Sequence, residues 1–120
     1  MSSNAKMMSE PTNLVIHATY RVHEDDVEAF AGAVRPHIAA HAALPGCIYY
    51  AFAPDLLDRQ LFHLIEGWAD REALEAHILL EDFQEALRVI DRGVRILARD
   101  AQVYIVAKQE PIAMPSMVES

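Results

Sequence analysis

The 120-residue sequence is short of cysteine, glycine and basic residues, and each shortage excludes a class of protein. A single cysteine, Cys47, cannot form an internal disulfide or supply the thiol cluster of a zinc or iron–sulfur site. Four scattered glycines cannot build a phosphate-binding or dinucleotide-binding loop. Ten Lys and Arg residues against eighteen Asp and Glu give a net charge of -8 without a basic stripe, which argues against nucleic-acid binding.

Long apolar runs are also missing. No run approaches the roughly 18 residues of a membrane-spanning helix, and residues 1–11 lack the apolar core of a signal peptide. We therefore expect a cytoplasmic protein that does not bind membranes. The hydrophobic share of 52% favours one compact domain, which we place at residues 12–110. Residues 1–11 read as a disordered or extended N-terminal tail, and residues 111–120 as a C-terminal tail.

The first half of the domain reads as a strand, a helix and a hairpin. Residues 12–22 are rich in β-branched and aromatic side chains, which favours a strand. Carboxylates crowd the next turn, and apolar residues then recur at helical spacing. Pro36 falls inside this helix, so we expect a kink or a break just before it. Residues 47–52 and 60–68 are then predicted to pair as two strands.

The second half predicts two helical stretches and a last strand. Asp70 is a plausible N-cap for a short helix, and the next helix carries an apolar stripe from Phe83 to Leu97. Residues 102–107 read as the last strand. The element order predicts an α+β, ferredoxin-like split βαβ fold, in which helices cover one face of a four-stranded antiparallel sheet. We expect a second copy to cover the other face in a homodimer, with a monomer as the alternative.

The most specific pattern lies around the third strand. Glu66-Gly67-Trp68-Ala69-Asp70 is followed by Ala73-Leu74, His77 and Phe83, and Pro45-Gly46-Cys47 precedes it. In this ordered set the chain resembles the antibiotic biosynthesis monooxygenase (ABM) family of dimeric α/β barrels. The resemblance covers about residues 12–106.

The resemblance implies a small oxygenase. The family includes cofactor-free monooxygenases, haem-degrading enzymes and enzymes that process a small quorum-sensing signal, so it implies fold more firmly than reaction. The haem-degrading branch has a ligand histidine and an asparagine where this chain has Leu87 and His17, which argues against haem. We expect oxidation of a small quinol or polyphenol by molecular oxygen, without cofactor or metal. The alternatives are an isomerase of a small oxygenated metabolite and a non-catalytic ligand-binding or stress-response dimer.

Several side chains are candidates for this chemistry. Glu66 and Trp68 share a strand face, and the fold should bring His77 close to them. A carboxylate, an indole and an imidazole around an apolar cleft can hold a planar substrate and move its phenolic proton. Each can instead be structural. The predicted catalytic residues are His77, Glu66 and His17, and the predicted substrate-binding residues are Trp68, Phe62, Tyr50 and Phe83.

Three assignments depend on orientation or spacing. His17 faces the helices only if its strand parity matches the family's catalytic position, and either Tyr49 or Tyr50 can reach the cleft. His37 and His41 have a metal-compatible spacing, but no third ligand is correctly placed, so no metal site is predicted. Two further expectations concern an inert buried thiol at Cys47 and interface roles for His63 and Ile65.

Overall fold

The computed structural model describes residues 10–115 as a sheet with helices packed against one face. Within this range the strands are β1 (Leu14–Val22), β2 (Cys47–Pro54), β3 (Leu61–Trp68) and β4 (Ile96–Ile105), and the α-helices are α1 (Val27–Ala42), α2 (Arg71–Leu79) and α3 (Glu81–Gly93). The sheet order is β2-β3-β1-β4, and each neighbouring pair is antiparallel. The predicted α+β, ferredoxin-like fold is confirmed.

Of the kink or break expected near Pro36, the break is absent, because helix α1 runs through Pro36 from Val27 to Ala42. Proline removes one backbone donor and crowds the carbonyl four residues earlier, which belongs to Gly32. Both residues are exposed, so water can satisfy the carbonyl that proline leaves unpaired. The helix ends at Ala42, and Gly46 then takes a φ of 80° in the turn that leads into β2.

Strand β4 begins at Ile96, well before the predicted residue 102, and ends at Ile105. The sequence pattern places Leu97 on the apolar stripe of the preceding helix, but α3 ends at Gly93. The pairing of β1 with β4 shifts between Arg21 and Val22, which leaves Leu97 without an aligned partner on β1. This irregularity and the charged residues that follow obscured the strand alternation.

The core lies between the sheet and the helices in two clusters. One gathers around the fully buried Trp68, and the other around Phe30 of α1. Even-numbered residues of β1 and β3 point into this core, as the alternation on β3 predicted. Their odd-numbered neighbours form the opposite sheet face, which carries His17, His63 and Ile65.

The predicted tails lie mainly outside the described residues. Residues 1–9 and 116–120 are not described, so the domain boundaries at 12 and 110 stay predictions. In the described part, the Gln109 side chain accepts a hydrogen bond from the Thr12 amide and donates one to the Glu10 carbonyl. Among residues 10–115, no helix is long and apolar enough to cross a membrane.

Candidate active site

A cavity of about 220 Å³ lies between the sheet and the helices. β1 contributes Ile16, Ala18 and Tyr20 to its lining, and β3 contributes Leu64 and Glu66. β2, β4 and all three α-helices complete it, mostly with apolar side chains. The polar side chains that line it are Tyr20, His37, His41, Tyr50, Glu66, His77, Asp91 and Arg99.

His77 lies on α2 and is 3% exposed. The helix is anchored by Asp70, whose carboxylate accepts a hydrogen bond of 2.8 Å from the Ala73 amide, as its N-cap prediction implied. The imidazole stacks on Trp68 with ring centroids 5.0 Å apart, and it contacts Phe83 at 4.4 Å. Its Nδ1 has no hydrogen-bond partner among the described residues.

The surroundings of His77 keep its imidazole neutral. Burial, which removes the hydration of the charged form, and to a smaller extent the neighbouring His41 together lower its pKa to about 4. At neutral pH the ring therefore has a free lone pair. A neutral imidazole in an apolar cavity can accept a proton from a bound substrate.

Glu66 and Trp68 form a buried pair beside His77. The Trp68 Nε1–H donates a hydrogen bond of 2.8 Å to Oε1 of Glu66. Burial raises the pKa of the Glu66 carboxyl, and this hydrogen bond partly opposes the rise by stabilising the anion. Trp68 was predicted to bind substrate, but its indole is fully buried and does not line the cavity. Trp68 instead stacks against the His77 ring and donates a hydrogen bond to Glu66.

His41 of α1 is the site residue that sequence reasoning missed. Its ring lies 4.8 Å from that of His77 and 5.1 Å from that of Tyr50, and its Nδ1 also lacks a partner among the described residues. Burial lowers the pKa of His41, and His37 adds to the effect. The sequence did contain a signal for this role, because His41 lies at helical spacing on the same stripe of α1 as Val34, which lines the cavity.

The other predicted site residues separate into two groups. Tyr50 and Phe83 line the cavity, and burial raises the pKa of the Tyr50 phenol, which stays neutral. Phe62 faces the helices but packs against Phe30 at 4.9 Å and does not line the cavity. His17 lies on the opposite sheet face, where its Nε2 is 3.0 Å from Nδ1 of His63, so the parity condition for its catalytic role is not met.

The structure shows which of the two adjacent tyrosines faces the cavity. Tyr50 reaches the cavity, whereas Tyr49 packs its ring over Gly67 on the far side of the sheet. A side chain on Gly67 would overlap that ring. Cys47 is buried, as expected.

The charged groups of the lining are paired or shielded. The Arg99 guanidinium donates a hydrogen bond of 2.7 Å to the Asp91 carboxylate. With two neutral imidazoles and a neutral phenol beside them, the cavity favours an uncharged, largely apolar ligand. In the described part of the chain, no group of three or more His, Cys, Asp or Glu side chains can hold a metal ion.

Comparison with known structures gives the same fold. A candidate antibiotic biosynthesis monooxygenase from Deinococcus radiodurans superposes with a TM-score of 0.77 at 17% identity, covering 84% of this chain and 99% of that one. PA3566 from Pseudomonas aeruginosa is 28% identical, with a TM-score of 0.72 over 81% of this chain and 96% of that one. SnoaB, a cofactor-independent oxygenase from Streptomyces nogalater, has a TM-score of 0.70 at 13% identity, covering 84% and 99%.

Comparison of sequences supports a family assignment. Protein sll1783 of Synechocystis is 27% identical over 105 residues, which is 88% of this chain and 68% of that protein. Residues 13–89 match the family described as antibiotic biosynthesis monooxygenase. This segment contains β1 to β3, α1 and α2, and all of the histidines that line the cavity. The chain belongs to the antibiotic biosynthesis monooxygenase family.

Proposed function

We propose that this protein is a cofactor-independent monooxygenase that oxidises a small, uncharged quinol or polyphenol with molecular oxygen. The observation that carries the proposal is His77, a buried neutral imidazole on the wall of an apolar cavity, stacked on the indole that also holds Glu66. Family membership supports a monooxygenase-type function, and the neighbour SnoaB is described as a cofactor-independent oxygenase.

The cavity size suggests the substrate class. A cavity of about 150 Å³ can hold benzene. The volume of about 220 Å³ here suits a substituted ring or two fused rings. Because the lining offers neutral imidazoles and a phenol, it favours hydroxyl groups over carboxylates or phosphates.

His77 is assigned the role of general base. It takes the proton of a substrate hydroxyl, and the resulting phenolate passes one electron to oxygen, which gives a phenoxyl radical and superoxide. The two recombine with formation of a carbon–oxygen bond at a ring carbon that carries hydrogen. Loss of that hydrogen as a proton breaks the oxygen–oxygen bond, and the products are a quinone and water. Apolar walls protect the radical and peroxide stages from bulk water.

Glu66 and His41 have supporting roles in this scheme. Burial lowers the pKa of His77, and the neighbouring His41 contributes to the lowering, which keeps the base neutral before the substrate binds. Glu66 lines the same cavity, so its carboxyl can exchange a proton with the oxygen intermediates. Tyr50 and Phe83 are the side chains that we assign to substrate contact.

The decisive variant is His77→Phe, which keeps an aromatic ring against Trp68 and removes the nitrogens. We expect oxygen consumption with a panel of hydroquinones and dihydroxynaphthalenes, corrected for autoxidation, to fall roughly a hundredfold in this variant. His23→Gln is the matched control, because His23 lies at the start of the turn before α1, outside the cavity lining. Equal rates in His77→Phe and wild type would refute the assignment of the base.

The same assay separates the alternative functions. An isomerase would convert its substrate without consuming oxygen, and a binding protein would retain the hydroquinone unchanged. Wild-type protein that binds a dihydroxynaphthalene but consumes no oxygen above autoxidation would replace the oxygenase proposal with one of these two.

We further propose that the protein is a cytoplasmic homodimer that pairs through the sheet face opposite the helices. Ile65 and Tyr104 on this face are 38% and 54% exposed, and burying such side chains favours association. Light scattering should report about twice 13.4 kDa. A stable monomer at micromolar concentration would contradict this assembly.

A further inference from the structure

The cavity has two ends that lie far apart along β1. Ile16 of β1 pairs with Glu66 of β3, whereas Tyr20, four residues further along β1, pairs with Arg99 of β4. At about 3.3 Å per residue, these two positions are separated by about 13 Å along the strand. All four side chains line the cavity, so the cavity extends along β1 from one pairing to the other.

One end of the cavity is closed and the other is open. Glu66 and His77 are 6% and 3% exposed, and both contact Trp68 at the closed end. The Arg99 and Asp91 side chains are 49% and 52% exposed, so they lie at the mouth of the cavity. In the proposed chemistry the reacting hydroxyl lies beside His77, and the rest of the substrate therefore extends towards Arg99 and Asp91.

Two contacts hold the Arg99 guanidinium at the mouth. Its Nη2 donates a hydrogen bond of 2.7 Å to Oδ1 of Asp91 on α3, and its Cζ lies 6.0 Å from the centroid of the Tyr20 ring. A guanidinium has five N–H donors in a rigid fork. Within residues 10–115, the Arg99 side chain donates no hydrogen bond other than the one to Asp91. Several donors are therefore free to bind an oxygen of a ligand that reaches the mouth.

The chemistry of this pair indicates which ligand oxygen it binds. Because a guanidinium donates hydrogen bonds and accepts none, Arg99 favours ligand groups that are acceptors. Asp91 already balances the charge of Arg99, and a ligand carboxylate beside Asp91 would meet a like charge. A carbonyl oxygen is a neutral acceptor and avoids this repulsion. The mouth therefore suits a ketone or acyl group better than an acid.

We propose that Arg99 is a specificity-determining residue that binds a neutral carbonyl oxygen at the end of the substrate remote from the reacting hydroxyl. This inference rests on the proposed oxygenase function, because it takes His77 as the base at the closed end. It narrows the substrate to quinols of two fused rings that carry an acyl or keto group on the second ring. Asp91 positions the guanidinium and disfavours acids at the same place.

Anaerobic isothermal titration calorimetry tests this inference, because it measures binding without turnover. The probes are a dihydroxynaphthalene with an acetyl group on its second ring and the matched ethyl compound, which has a similar size and no carbonyl. Wild-type protein should bind the acetyl probe about tenfold more tightly, as expected for a hydrogen bond from a charged donor. In Arg99→Met the affinities for the two probes should differ by less than about threefold, with wild-type affinity for the ethyl probe.

Two further variants separate the carbonyl contact from the charge. Arg59→Met is the matched control, because Arg59 is an exposed arginine that pairs with Glu28 outside the cavity lining. It should keep the wild-type preference for the acetyl probe. Asp91→Asn retains an oxygen that accepts from Arg99 but removes the negative charge. The acetyl preference should remain in this variant, while the affinity for the matched carboxylate probe should rise several-fold.

An equal preference for the acetyl probe in wild type and Arg99→Met would overturn the inference, and so would a wild-type protein that does not distinguish acetyl from ethyl. Tighter wild-type binding of the carboxylate probe than of the acetyl probe would also overturn it.

Oxygen consumption distinguishes this inference from the proposed function on which it rests. Oxidation of the acetyl and ethyl probes with equal kcat/KM would support the oxygenase and refute the role of Arg99. An Arg99-dependent acetyl preference without oxygen consumption would refute the oxygenase and retain Arg99 as a ligand-recognition residue. Failure of wild-type protein to bind either probe would refute both.

Discussion

Trp68→Phe tests the link between the buried indole and the Glu66 carboxylate. The change removes the 2.8 Å hydrogen bond from Nε1 but keeps an aromatic ring under His77. A hydrogen bond to a charged group contributes about 1.5–3 kcal/mol. The smaller ring also leaves a void, which costs about 1 kcal/mol if the surroundings do not relax. We expect a loss of about 2.5–4 kcal/mol in the free energy of unfolding near pH 8.

The two contributions differ in their dependence on pH. The void costs the same at any pH, whereas the hydrogen bond stabilises the ionised carboxylate. Because burial already raises the pKa of Glu66, loss of the donor raises it further, and the carboxyl becomes neutral more readily. The loss of stability in Trp68→Phe should therefore be smaller near pH 5 than near pH 8.

Urea unfolding at both pH values measures this difference. Phe62→Leu is the matched control, because Phe62 is buried on the same face of β3 and its ring contacts are with other aromatic side chains. It should lose a similar stability at both pH values. If Trp68→Phe also loses the same stability at both, the indole is only a packing group, and its role in setting the charge of Glu66 is refuted.

Three other predictions concern stability. Because the pKa of His77 is lowered to about 4 in the folded state, the unfolded chain takes up this proton at a higher pH than the folded chain does. The free energy of unfolding should therefore fall as the pH drops from about 6.5 towards 4, at up to about 1.4 kcal/mol per pH unit. Urea titrations should show a shallower fall in His77→Phe. Asp70→Ala removes the cap of α2 and should cost about 1 kcal/mol in urea unfolding, whereas Asp70→Asn should retain most of it. Gly67→Ala places a methyl group against the Tyr49 ring, which should cost about 1–3 kcal/mol of stability and lower the melting temperature by several degrees. In a Tyr49→Ala background the same substitution should lower the melting temperature less.

The element order and the parity of β3 could be predicted because they depend on local patterns. Leu64 and Glu66 alternate with His63 and Ile65, and one buried face requires that register. The start of β4 could not be predicted, since Leu97 continues the apolar period of α3 and the bulge there breaks the strand period.

The candidate site could be predicted only in part. His77 and Glu66 lie together because strand parity and the helix cap are local signals. The places of His41 and Trp68 depend on long-range packing and could not be predicted. His41 reaches the cavity from α1, whereas Trp68 stacks against His77 and does not line the cavity. His17 could not be oriented without the register of β1 against β3.

The most direct test of the central claim is the fate of isotopically labelled oxygen during turnover of a dihydroxynaphthalene with a free ring position para to a hydroxyl group. With His77 as the base, wild-type protein should give a hydroxynaphthoquinone that carries one labelled oxygen atom, with the other in water. His77→Phe should form it roughly a hundredfold more slowly. A product without label, or equal rates of labelled product from wild type and His77→Phe, would contradict the account.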